Sequence, residues 1–146
     1  MRTELLVCFT ALAACLGAAP VRAAAMKLIR LELKAGQALT FAATIEDGKV
    51  TLGPARLGKF GEMQPADGEI TVSLSPKDRT LYENVVVVEK TAKPIDLVAT
   101  GLVGEVKIDE VVLHGRLDAP VSARIGAVSW TVWLNDFETA SEPAKK

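Results

Sequence analysis

Leu39-Thr40-Phe41-Ala42-Ala43-Thr44-Ile45-Glu46-Asp47-Gly48-Lys49-Val50-Thr51-Leu52 decides the fold of this chain. Leu39, Phe41, Ala43 and Ile45 alternate with Thr40, Ala42 and Thr44, the two-residue period of a half-buried strand. Asp47-Gly48 accepts the positive φ of a tight turn, and Val50 and Leu52 then resume the alternation. Two alternating runs around Asp-Gly predict a β-hairpin.

The same pattern extends outward in both directions. Ile29, Leu31 and Leu33 alternate with Arg30 and Glu32, and Ile70, Val72 and Leu74 with Thr71, Ser73 and Ser75. Val85-Val86-Val87-Val88 predicts a strand buried on both faces. Pro94 opens a strand through Ala99, with Gly101 and Gly104 as punctuation. Val106 to Leu117 reads as a long strand whose alternation breaks at Asp109-Glu110, where a bulge or turn is expected. Ala127 to Phe137 reads as the last strand. Gly53 to Gly68 holds four glycines and two prolines and reads as a long loop with a short strand near Lys59 to Met63. No stretch beyond residue 25 keeps apolar residues at helical spacing over three turns. The reading is an all-β, mainly antiparallel β-sandwich of about eight strands, with a small closed β-barrel as the alternative.

The first 25 residues have the order of an export signal. Arg2 supplies positive charge, Leu5 to Ala19 an apolar run, and Pro20 a break before the small residues Ala23-Ala24-Ala25. The run is shorter than the roughly 20 residues a bilayer crossing needs. Residues 1–23 are therefore expected to be removed, with cleavage near Ala23 to Ala25. Residues 24–137 would form one β domain, and 138–146 a flexible tail. No membrane span is expected after cleavage, and the location is a bacterial periplasm or outside the cell. Leu12-Ala13-Ala14-Cys15 also has the apolar–small–small–Cys order of a lipoprotein signal, so lipid anchoring through Cys15 is the alternative.

Cleavage removes both cysteines, Cys8 and Cys15, and with them disulfide, thiol and thiolate–metal chemistry. It also removes Arg2, Arg22 and Glu4, taking the net charge from −1 to about −2. That balance argues against nucleic acid, which calls for a basic face.

Motif readings are mostly negative. Gly53-Pro54-Ala55-Arg56-Leu57-Gly58-Lys59 follows seven positions of a phosphate-binding loop, but Phe60 stands where Ser or Thr must hold Mg²⁺. His114, the single histidine, is the one catalytic candidate, and Asp118 and Ser122 complete a nominal triad by proximity in sequence alone. Glu46-Asp47 and Asp109-Glu110 are sequence neighbours, which a strand points to opposite faces, so neither pair suits shared acid–base work. No metal site and no cofactor are expected.

The last strand offers the binding candidate. Alternation puts Val128, Trp130, Val132 and Leu134 on one face and Ser129, Thr131, Trp133, Asn135 and Phe137 on the other. Aromatic rings among hydroxyl and amide groups suit a binding surface. Arg116, in the charged segment around Pro120, could hold an anion beside it. The functional expectation is an exported non-catalytic binding or envelope-associated module, with a protein or small-molecule partner. The alternatives are a small periplasmic hydrolase using His114, or a ligand-carrying barrel lined by Ala42, Ala43 and Ala99.

Overall fold

The computed structural model describes residues 31–77, 82–126, 129 and 131–141. Residues 1–30, Cys15 among them, and Val128 and Trp130 lie outside them. Nine strands are present among the described residues: β1 Leu31–Leu33, β2 Gln37–Glu46, β3 Lys49–Lys59, β4 Glu69–Leu74, β5 Tyr82–Glu89, β6 Ile95–Val103, β7 Val106–Leu113, β8 Val121–Gly126 and β9 Thr131–Thr139. They form two antiparallel sheets, ordered β1-β9-β6-β7 and β3-β2-β4-β5-β8. The sheets remain separate, so the chain is a β-sandwich and not a closed barrel.

The inward positions of both sheets meet in one apolar layer. It includes Leu33, Phe41, Ile70, Leu74, Val85, Leu97, Leu113, Ile125 and Val132. Each large side chain buried there contributes roughly 1.5–3 kcal/mol of transfer free energy. Ala43 and Ala99 belong to this filled layer and Ala42 is exposed on the other side, which removes the barrel-carrier reading with its alanine-lined interior.

The β2–β3 hairpin forms as predicted. Glu46 pairs with Lys49, and Asp47 and Gly48 take φ of 49° and 76°, the two positive values of a type I′ turn. The long loop expected from Gly53 does not form, because β3 continues to Lys59. Its pairing passes from Ala43–Leu52 to Phe41–Ala55, so Gly53 and Pro54 together oppose Ala42. A bulge on an edge strand absorbs the proline's missing N–H. The glycine-rich segment that follows the phosphate-loop pattern is thus edge strand.

The true loop, residues 60–68, folds over the outer face of β2 and β4. Met63 occupies space that a Cβ at Gly58 would invade, and Pro65 is buried. Arg56 grips Glu69 with Nη2 at 3.0 and 2.8 Å from the two carboxylate oxygens, and Ala66 N–H donates to the same carboxylate. Beneath, the Thr40 and Thr71 hydroxyls bond at 2.7 Å.

Other departures have equally local causes. Val85 and Val87 point into the core, whereas Val86 and Val88 are half-buried on the outer face, because β5 is covered on one side only. The break at Asp109-Glu110 is a bulge one residue earlier: Gly101 pairs with Asp109 and Leu102 with Lys107, leaving Ile108 over. Asp109 then reaches the other sheet, where its Oδ2 accepts Gly126 N–H at 2.7 Å. The last strand, β9, starts at Thr131, and β8, Val121–Gly126, is a strand that the sequence reading did not single out. β9 runs to Thr139, two residues into the expected tail, and pairs there with Ile95.

Candidate functional site

The outer face of the four-stranded sheet gathers most of the residues with chemistry. Cross-strand register builds it row by row. Glu32, Trp133, Thr100 and Glu110 form one row across β1, β9, β6 and β7. Asn135, Val98 and Val112 form the next. Glu138 faces Asp96 in a third, and His114 completes it by hydrogen bonding to Asp96. On the other side of Trp133, Thr131 faces Leu102, which faces Lys107. Four strands spaced about 4.8 Å apart make the face about 14 Å wide.

Alternation on β6 produces this. Ile95, Leu97 and Ala99 turn into the core, so Asp96, Val98 and Thr100 turn out. The Thr100 hydroxyl lies 3.3 Å from Asn135 Oδ1 and 3.4 Å from Glu110 Oε2. Its single proton serves one of them at a time. Lys107 Nζ bonds the same Glu110 oxygen and holds that carboxyl below its ordinary range. Thr100 and Leu102 are buried at 7 % and 2 % exposure although they face outward, and Trp133 beside them is half-buried. The indole therefore presents only part of its surface.

At the far end, His114 is 78 % exposed. Its Nδ1 sits 3.1 Å from Asp96 Oδ2, and Asp96 Oδ1 accepts Gly115 N–H at 2.9 Å. An ionised Asp96 selects the tautomer with hydrogen on Nδ1, which leaves Nε2 toward solvent as a base. The carboxylate partner of His114 is thus Asp96. Asp118 is instead held by Arg116, through Nε at 3.0 Å and Nη2 at 2.8 Å. That pairing lowers the Asp118 carboxyl and raises the Arg116 guanidinium. Ser122 stands on β8, in the other sheet, opposite Val86. The nominal triad is not assembled.

Of the binding candidates, Trp133, Thr131 and Asn135 share the face. Arg116 lies in the β7–β8 connection with its guanidinium engaged. Phe137 leaves the face altogether. Asp136 takes φ of 50°, and the pairing steps from Val98–Asn135 to Asp96–Glu138, so two residues of β9 oppose one of β6. This bulge reverses the alternation and turns Phe137 inward, where it meets Phe41 edge-on at 5.6 Å between ring centroids. Thr100, Glu110, Lys107, Asp96, Glu138 and Glu32 belong to the face without standing out in the sequence. The alternation of Asp96, Val98 and Thr100 against Ile95, Leu97 and Ala99 is the signal that finds two of them, Asp96 and Thr100.

Among the described residues, no three His, Cys, Asp or Glu side chains come together as a metal set. No helix there is long and apolar enough to cross a membrane. No family model, no curated protein and no solved structure matches this chain.

Proposed function

We propose that this chain is an exported, non-catalytic binding module that takes a polar partner on the outer face of its four-stranded sheet. One observation carries the reading. Trp133, Thr131 and Asn135 share that face with the Thr100–Glu110–Lys107 contacts and the Asp96–His114 pair. An indole beside fixed hydroxyl, amide and carboxylate groups supplies contact area and directed hydrogen bonds together. Bonds among the side chains hold several of these groups in place before a ligand arrives, which lowers the cost of ordering them on binding.

The test is a ¹⁵N-NMR screen of the mature protein against a library of small saccharides, amines, amino acids and short peptides. The reading expects shift changes concentrated at residues 96–100, 110–114 and 131–135, and their loss in Trp133→Ala. Changes confined to the five-stranded sheet, or none with any compound, overturn it.

The Asp96–His114 geometry favours a second reading, a small hydrolase in which His114 Nε2 activates water. Turnover of p-nitrophenyl acetate that His114→Ala abolishes, with the fold preserved, would support it. Turnover equal to that of free imidazole would dismiss it.

A further inference from the structure

The two chain crossings between the sheets at one end of the sandwich run side by side. The first joins β5 to β6 through residues 90–94, and the second joins β7 to β8 through residues 114–120. Two carboxyl groups pin them. Glu89, the last residue of β5, is 4 % exposed and accepts Ile95 N–H on Oε2 at 3.0 Å, a bond from one sheet to the other. Its Oε1 is buried with no hydrogen-bond partner. Asp96, on the other side of Ile95, accepts Gly115 N–H and pairs with His114. Gly115 packs so tightly that a Cβ there would strike the Ile95 backbone.

We propose that Glu89 and Asp96 form a proton-responsive joint, which clamps the two sheets at this end while Glu89 is neutral and loosens when Glu89 ionises. A carboxylate here would have one N–H donor for two buried oxygens, and Asp96 nearby would repel it. Burial, followed by repulsion from Asp96, lifts the Glu89 carboxyl from 4.5 to about 7, against the lowering effect of the Ile95 N–H bond. The Ile95 N–H and the Thr91 side chain offset that charge only in part. The register partner of Glu89 on β4 is Ile70, Glu138 of β9 faces Asp96, and Lys90 and Lys93 are exposed. His114 lies beyond Asp96 and pairs with it. The inference stands on this joint and not on the binding reading.

Amide hydrogen exchange at Ile95 and Gly115 tests it, in the wild type and in Glu89→Gln, at about pH 5.5 and about pH 8.5. The glutamine keeps an acceptor for Ile95 N–H and cannot ionise, and every other side chain is common to both proteins. In the wild type, protection at both amides should fall about tenfold at the higher pH after correction for hydroxide catalysis, and it should hold in the variant. Equal behaviour of the two proteins overturns the joint. Should the variant not fold, ¹³C titration of the Glu89 carboxyl in the wild type decides. The Ile95 and Gly115 amide shifts must move with it, and amides that stay put while Glu89 titrates overturn the joint equally.

Discussion

Burial favours the protonated form of Glu89, and this has a thermodynamic sign. Its folded-state pKa, about 7, lies above the ordinary 4.5, so between those values the folded chain holds a proton that the unfolded chain has lost. Stability from this group is complete below about pH 4.5 and declines until about pH 7, by at most about 3 kcal/mol. Urea denaturation of wild type and Glu89→Gln at about pH 5 and about pH 8 measures it. The gap between the two proteins should shift in the variant's favour on going to the higher pH. Gly115 is the steric counterpart. Gly115→Ala places a Cβ against the Ile95 backbone, which has no side-chain freedom to yield, and should cost about 2 kcal/mol or more. Gly126→Ala meets Asp109 only at ordinary contact distance and should stay within about 1 kcal/mol of wild type in the same measurement.

At the scale of the element, β9 shows how one residue redirects a strand. Asp136 holds a left-handed backbone, which a short polar side chain tolerates and a β-branched one resists. Asp136→Val should lower thermal stability by about 1–2 kcal/mol, while Asp136→Gly should match or exceed wild type, both read from the midpoint of melting. The alternation of residues 39–52, 70–74 and 95–99 was legible because each of these runs turns its large apolar side chains to one face, and a one-residue slip would turn the whole set away from the core. The bulges were harder to read. At Ile108 the neighbouring Asp109-Glu110 marked the break, because Asp109 turns inward to bond Gly126. At Asp136, Asn135-Asp136 looks like ordinary polar strand surface, so Phe137 seemed to share a face with Trp133. At Gly53-Pro54 the composition argued for a loop, yet an edge strand can lose one N–H without breaking its ladder. The link from His114 to Asp96 depends on β6–β7 register, which no local spacing encodes.

At the scale of the whole molecule, pairing between strands decides what each side of the sandwich presents. The Trp133 surface and His114 come from segments about 20 residues apart, and antiparallel pairing through β6 places both on one face. The loop of residues 60–68 lies over β2 and β4, so it covers the opposite side of the sandwich and leaves the Trp133–His114 face outside its reach. A sandwich with one side strapped and the other carrying fixed polar groups presents those groups from any attachment that keeps the second side outward. How it is attached depends on the leader. Cleavage near Ala23 would free the domain, whereas cleavage before Cys15 would tether it by lipid. The apolar run reaches Ala19 and ends at Pro20, so cleavage after the break uses its full length, while cleavage at Cys15 leaves only Leu5 to Leu12 and two alanines before it. Intact-mass spectrometry of the protein purified from a bacterial envelope should therefore show a chain beginning between residues 24 and 26, with no added acyl mass. A species beginning at Cys15 and carrying two or three acyl chains would overturn this expectation and place the Trp133–His114 face near a membrane surface.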